Sequence, residues 1–432
     1  MSGTVVIGKP EVLVDEPVGF SVVCCTPGED VVVNAIWSIG DVKVESEAHF
    51  VVPANGTVEP ATQLSLRGTY TGVEPYGLWW SIGSDHLPEE ADPFAPWTVT
   101  VTASGQDWES TGSLLRRKVD RTVQRVQVRS GRLRGVAFLP SGDGPFPSVL
   151  VFSGSGGGLG GLGGVQSSAA LLASHGFAAL ALAYFSYDDL PSDLVDIPLE
   201  YFHEGIEWLK LNGPALGGRV AVVGASRGGE LALLLGAIYP KDVAAIVAKV
   251  PSGVVWGGLS KEPREGSVAW TLEGRPVVPL PGARTDPADL PKREGAIVLT
   301  PSFEALISAA SPEELAAAEV PVERVGGPVL LLSGDDDAMW PSVALSEIAV
   351  RRASAKGAEH PFRHLHYPDA GHTFATPAGL PVARSAVHPL AGKLYAYGGS
   401  LVGNAHASTS SWEEILVFLH TSLATDHVVS SK

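Results

Sequence analysis

Three stretches of the chain hold residues whose types and order could carry out nucleophilic chemistry. The first is Gly224-Ala225-Ser226-Arg227-Gly228, a G-x-S-x-G pattern where the β-branched run "VAVVG" gives way to "ELALLLGA". A serine at a strand-to-helix turn projects away from its own backbone. The flanking glycines lack Cβ and let strand and helix pass closely, and the helix that follows aims N–H groups and a positive dipole end at the hydroxyl. The same pentapeptide also suits a serine that only caps a helix. The nucleophile reading therefore needs a base, an acid and an oxyanion donor elsewhere in the chain.

The second stretch is "PVLLLSGDDDAMWP", a strand, a glycine and three aspartates, and the third is "HLHYPDAGHTF", a strand followed by Gly371-His372. A serine hydroxyl is a poor nucleophile near neutral pH. It needs an imidazole to take its proton, and the imidazole needs a carboxylate to fix its tautomer. The spacing G-x-x-D-x-x-x-P, with Gly334 before and Pro341 after, selects Asp337 as the acid. Asp335 and Asp336 read as turn or cap residues, with Asp336 as the rival. His372 is the expected base. His364 and His366 fall on a predicted strand, His175 and His203 within helical stretches, and His406 in a predicted loop that leaves it open as an alternative.

A second glycine-rich stretch, "VLVFSGSGGGLGGLGGVQ", follows an earlier strand. A dinucleotide loop would need an acidic residue near the end of the next strand, and "ALALAYF" ends in Tyr184 and Phe185. A P-loop would need Gly-Lys-Ser/Thr, which the stretch lacks. The remaining use is as an oxyanion loop: one backbone N–H from Ser155 or Gly156, the other from Arg227, the residue after the nucleophile. The sequence thus asks for no cofactor and no metal.

The elements around these stretches divide the chain. Residues 1–120 read as all-β, with alternating runs such as "VVVNAIWSI" and "WTVTVTASG" between turns such as "PANGT", a spacing that suggests a sandwich. The polar, basic "LRRKVDRTVQ" reads as the join, and "VQRVQVRSGRLRGVAFLP" as a hairpin opening a second domain over 121–432. There, strands and helices alternate ("SVLVFSG", "SSAALLASHG", "FAALALAYF", "LEYFHEGIEWLKLNG"), which means a mostly parallel sheet with helices on both faces. Residues 253–325 are rich in Pro, Gly and charge and read as an insertion over the end of the sheet, and "SWEEILVFLHTSL" closes the chain as a helix.

With 432 residues the chain has length for two or three domains, and a net charge of −17 argues against nucleic-acid or anionic-membrane partners. The two cysteines, Cys24 and Cys25, are adjacent and form neither a disulfide framework nor a metal site. The first residues lack the pattern of a signal peptide, and no apolar run reaches membrane-spanning length. A cytoplasmic location is the expectation. Oligomeric state is not legible.

With elbow, acid, base and domain order in place, the chain resembles the acyl-CoA thioesterase and bile acid-CoA:amino acid N-acyltransferase family, from about Val12 to Leu423. The resemblance rests on "LVDEPV", "GTYTGVEPYGLWWSI", "GRLRGVAFLP", "GPFPSVLVFSGSGGG", "HGFAALALAYFSYDDLP", "GASRGGELAL", "PVERVGGPVLLLSG" and "YPDAGH". It implies an immunoglobulin-like β-sandwich followed by an α/β-hydrolase domain, and cleavage of acyl thioesters carried on CoA or a carrier protein. Ser226 holds the family's nucleophile position. Amide-forming relatives carry cysteine there, so serine tilts the expectation towards hydrolysis, with transfer to an amine or alcohol as the alternative. A plain esterase or dienelactone-type hydrolase is the nearest competing enzyme, and a binding module that has lost the chemistry is a further one. The family's acid loop reads Gly-Gln-Asp-Asp-His-Asn-Trp against "GDDDAMW" here. This agrees with Asp337 as the acid but replaces His-Asn by Ala338-Met339. The apolar "YGLWWSI" leaves two expectations for Trp79 and Trp80: packing against the second domain as a wall of the acyl pocket, or membership of the sandwich's own core.

Overall fold

The computed structural model describes residues 2–17, 19–39, 41–82, 92–160, 164–212, 215–262, 266–282, 285–374 and 379–430. Residues 161–163 of the glycine-rich stretch, and 263–265 and 283–284 of the insertion, lie outside them. The chain divides into two compact units, Met1–Asp120 with Pro377–Ala383, and Arg121–Thr376 with Arg384–Lys432.

The first unit is built on a six-stranded sheet in the spatial order Glu11–Leu13, Glu109–Arg117, Trp97–Ser104, Asp30–Ile39, Val42–Val51 and Arg67–Gly68. All its pairings are antiparallel except that of the first two strands. Asp30–Ile39 alternates buried with partly buried residues, as a sheet with one face on a core must. A two-stranded layer, Thr4–Ile7 with Phe20–Val23, lies on it, with Val5 and Ile7 over Gly112. The apolar Gly77–Trp80 forms one helical turn, all of it buried. Trp79 packs edge-on against Trp37 at 5.7 Å and Phe20 at 6.4 Å, and Trp80 lies 6.2 Å from Tyr70. Both tryptophans therefore belong to this unit's own core, the second of the two expectations.

The division between the two units falls inside "LRRKVDRTVQ", after Asp120, yet two of its basic residues are not solvated. Arg116 and Lys118 are 0% and 1% exposed. The guanidinium of Arg116 sits 5.1 Å from the Trp37 ring and 5.0 Å from Trp79, and it donates to the carbonyls of Val14 and Gly379. The Lys118 ammonium lies 4.4 Å from the Trp97 ring. Cations can be buried here because aromatic faces and backbone carbonyls replace water around them. Composition alone does not reveal that.

The second unit holds an eight-stranded sheet: β1 (Gln124–Ser130), β2 (Leu133–Leu139), β3 (Phe146–Phe152), β4 (Ala178–Ala183), β5 (Ala215–Ala225), β6 (Val243–Lys249), β7 (Val329–Gly334) and β8 (Phe362–Tyr367). Their spatial order is β8-β7-β6-β5-β3-β4-β2-β1. β1 and β2 form the antiparallel hairpin, β2 also pairs antiparallel with β4, and the rest of the sheet is parallel. Every residue of β4, β6 and β7 is buried, because helices cover both faces of a parallel sheet, so these strands read as unbroken apolar runs. The helices are α1 (Val165–Ser174), α2 (Leu199–Asn212), α3 (Arg227–Ile238), α4 (Thr300–Ala309), α5 (Pro312–Ala318), α6 (Ser342–Lys356) and α7 (Leu401–Ser430). Among the described residues no helix is long and apolar enough to cross a membrane.

Two excursions leave the sheet. One joins β6 to β7 and contains α4 and α5, the latter opened by a capping box in which Ser311 and Glu314 bond each other's backbone N–H. Its Trp256 and Phe303 pack with Trp340 and Leu345 in a small core of their own. The other follows β8. Its strands Ser385–Val387 and Leu394–Ala396 join Lys292–Arg293 and Ala296–Ile297 of the first in a four-stranded sheet. α7 begins ten residues before "SWEEILVFLHTSL", so His406 lies on a helix and not in a loop, with its side chain exposed. The early turns of α7 are legible only from packing. Gly403 passes against the Asp369 carbonyl, and buried Asn404 accepts from the Gly371 N–H at 2.7 Å and donates to the Gly398 carbonyl at 3.1 Å.

Candidate active site

Ser226 stands between β5 and α3 with φ +59° and ψ −124°, a backbone region that L-residues avoid. Its N–H donates to the Lys249 carbonyl at 2.8 Å at the end of β6, which holds the turn in place. A Cβ on Gly224 would overlap the Gly228 carbonyl, and one on Gly228 would overlap the Ser153 carbonyl. The strand, helix and glycine-rich loop therefore meet at van der Waals distance only because both residues are glycine.

Arg227 is buried beside it. Its guanidinium donates to the carbonyls of Trp256 at 2.8 Å and Gly257 at 3.0 Å, and its Nε lies 3.1 Å from Glu230 Oε2. Glu230 is fully buried and its Oε1 accepts from Trp270 Nε1 at 2.7 Å. The side chain of Arg227 thus braces α3 against the first excursion, while its backbone N–H opens the helix.

The three aspartates after β7 have three different partners. Asp335 pairs with His366 at 2.8 Å on the outside of the molecule. Asp336 makes a two-pronged pair with Arg293 at 2.6 and 2.9 Å and accepts from the Gly399 N–H, and Arg293 holds its carboxyl below the usual range. Asp337 is 7% exposed, and its Oδ2 lies 2.8 Å from His372 Nδ1. Its Oδ1 accepts from the Met339 N–H at 2.9 Å and the Trp340 N–H at 3.3 Å. A carboxylate held from both sides in this way presents a single orientation to the ring. The His372 backbone N–H donates to Tyr397 at 2.7 Å, so both ring and main chain are tethered. Ala338 and Met339, in place of the family's His-Asn, are buried. Ala338 packs with Ala296 and Ala396, and Met339 faces the cavity, so the acid loop is braced by its backbone.

Two of the other histidines weighed from the sequence have partners away from this loop. His364 bonds Ser333 at 3.0 Å, and His203 is held by Asp242 at 3.2 Å and stacked 4.3 Å from Tyr239.

Ser226, Arg227, His372 and Ser155 all border one cavity. The loop after β3 reaches it directly: a Cβ on Gly154 would lie 3.0 Å from Ser226 Cβ. Gly156 belongs to the same loop, beside Ser155. The remaining wall is mostly apolar, with Leu259, Leu299 and Phe303 from the first excursion, Met339 and Trp340 from the acid loop, and Ala391 and Tyr395 from the second. An apolar chamber with a few convergent polar groups suits a ligand with a hydrocarbon part and one reactive centre.

His388 was not singled out by the sequence. It borders the cavity, is 7% exposed, and its Nε2 lies 2.9 Å from Ser155 Oγ. The one signal near it is the turn "HPLAG", whose N–H groups the ring caps.

Sheet order and elbow together define an α/β-hydrolase domain preceded by an all-β unit. A family profile described as the C-terminal part of BAAT/acyl-CoA thioester hydrolases matches residues 197–425, and one for the N-terminal region of the same proteins matches 15–134. Acyl-coenzyme A thioesterase 1 of Rattus norvegicus is 30% identical over 97% of this chain and 96% of its own length. The peroxisomal succinyl-coenzyme A thioesterase of Mus musculus is 28% identical over 96% and 95%. The acylaminoacyl peptidase of Pyrococcus horikoshii superposes with a TM-score of 0.43 at 12% identity, over 78% of this chain and 49% of that one. The chain belongs to the acyl-CoA thioester hydrolase/BAAT family and is an enzyme of the thioesterase class.

Proposed function

We propose that the protein hydrolyses acyl-CoA thioesters, with Ser226 as nucleophile, His372 as general base and acid, and Asp337 as the group that orients His372. The observation that carries this reading is the 2.8 Å contact of His372 Nδ1 with buried Asp337, on a ring that borders the same cavity as the elbow serine. With its Nδ1–H donating a hydrogen bond to Asp337, the imidazole keeps a lone pair on Nε2. That nitrogen takes the Ser226 proton as Oγ attacks the thioester carbonyl. The carbonyl electrons move to oxygen and are stabilised by the N–H of Arg227 and one from Ser155 or Gly156. Collapse expels the CoA thiolate, which takes up the proton held on His372 Nε2 and leaves the ring neutral again. Water, deprotonated by His372, then attacks the acyl-serine ester, and the carboxylic acid leaves as Ser226 recovers its proton. A thiolate is a good leaving group, so the site need supply little leaving-group protonation.

The test is turnover of an acyl-CoA series followed by release of free thiol. Ser226→Ala and His372→Ala should each lower kcat by about 10⁴-fold with the fold intact. Retention of a tenth or so of the activity by Ser226→Ala would sink the reading. Adding glycine or taurine to the assay separates hydrolysis from transfer, because an amide product would replace the free acid.

A further inference from the structure

The cavity holds a second serine–histidine pair, and its hydrogen bonds run in the opposite sense from those at His372. His388 Nδ1 accepts from the N–H groups of Leu390 at 3.3 Å and Ala391 at 3.2 Å. A ring nitrogen that accepts amide protons carries none of its own, so the proton of neutral His388 resides on Nε2, 2.9 Å from Ser155 Oγ. His388 is therefore a donor to Ser155 and not its base, and Ser155 is not a nucleophile. With a lone pair engaged by Nε2–H, the Ser155 hydroxyl keeps its own proton for an acceptor. The donated bond polarises the hydroxyl and makes it a better donor. Ser155 sits on the loop that touches the elbow, and it borders the same cavity as Ser226 and Arg227.

We propose that the Ser155 hydroxyl is a further donor to the oxyanion formed at Ser226, and that His388 is the positioning residue that sets its direction. The inference rests on the reading of Ser226 as nucleophile. It gives the second excursion a chemical task, since His388 lies between that excursion's two strands and closes over the loop after β3.

The experiment compares Ser155→Ala, Ser155→Thr, His388→Leu and His388→Gln in the full-length protein, with unfolding temperature as the control for folding. Ser155→Ala should lower kcat by about 100-fold with KM nearly unchanged, because the donor acts on charge that exists only in the transition state. Ser155→Thr keeps the hydroxyl and should restore the rate. Affinity for an alkylboronic acid, which forms a tetrahedral adduct on the nucleophile, should fall in step with kcat. His388→Leu should cost about as much as Ser155→Ala and add little to it in the double variant, whereas His388→Gln, which can still donate, should keep most of the rate. A Ser155→Ala kcat within about threefold of the parent, or a His388→Leu loss equally large in the Ser155→Ala background, would overturn the proposal. Failure of the nucleophile reading is a separate result, seen as turnover by Ser226→Ala.

Discussion

At the scale of single residues, the acid loop shows how one short run of identical side chains is divided by its surroundings. Asp335, Asp336 and Asp337 are chemically the same, yet each faces a different cation or imidazole. Removing the charge from Asp337 should leave the fold intact and lower kcat by about 10⁴-fold, because an amide favours the wrong tautomer of His372. Asp335→Asn and Asp336→Asn act on exposed or half-exposed pairs and should change kcat by no more than a few-fold, with about 1 kcal/mol or less of stability lost. Steady-state kinetics on the three variants check the ranking. A larger loss from Asp336→Asn than from Asp337→Asn would move the acid.

At the scale of elements, the site depends on the first turn of α3 being braced from behind. Glu230 is fully buried and faces Arg227, Trp256 and Trp270. Glu230→Gln would keep the shape but leave the Arg227 guanidinium buried without its countercharge, a change that costs about 3–5 kcal/mol. Urea unfolding measures it, and a loss below about 1 kcal/mol would mean that the carbonyls of Trp256 and Gly257 suffice alone.

The end of β6 gives a pH test. Burial pushes the Lys249 ammonium down to about 8. The unfolded chain holds that proton up to about 10.5 and the folded chain only below about 8, so in this window the unfolded state binds more protons and Lys249 makes stability rise with pH. Lys249→Met should remove that part of the slope: the stability difference, parent minus variant, should increase from pH 8 to pH 10.5. A difference that stays flat across the window would show that Lys249 titrates as an ordinary lysine.

These elements also show what the sequence could and could not say. β3 to β7, α3 and the elbow were readable because buried parallel strands are apolar runs and the turn between β5 and α3 has a glycine pattern with a steric cause, whereas β8 is an edge strand of partly buried and exposed residues. The excursion after β8 was not readable, because its two strands are three residues long and one of them pairs with a strand nearly a hundred positions away. No local period marks such a pairing. His388 was hidden for the same reason, since its partner Ser155 is distant in sequence. The burial of Arg116 and Lys118 was not legible because charge normally signals solvent, and the aromatic faces that replace solvent come from Trp37, Trp79 and Trp97.

At the scale of the whole molecule, the boundary near residue 120 is not a clean cut in the chain. Pro377–Ala383, some 260 positions further on, belongs to the first unit. Within that unit Arg116 donates to the Gly379 carbonyl at 3.2 Å, and Leu380 and Val382 are each 2% exposed. Gly379 has φ +70°, and a Cβ there would overlap the Val14 carbonyl, so the segment passes against the unit's backbone where only glycine fits. A fragment of residues 1–120 would lack this segment and leave a buried guanidinium short of an acceptor, at a cost of about 1–3 kcal/mol before the lost apolar burial is counted. The fragment should therefore melt several degrees below the transition that the first unit shows in the intact protein, and Arg116→Met in the full chain should lower that transition alone. Calorimetry on the two proteins and the fragment makes the comparison. A fragment as stable as the unit in the intact chain would show that residues 377–383 lie on the first unit without supporting it.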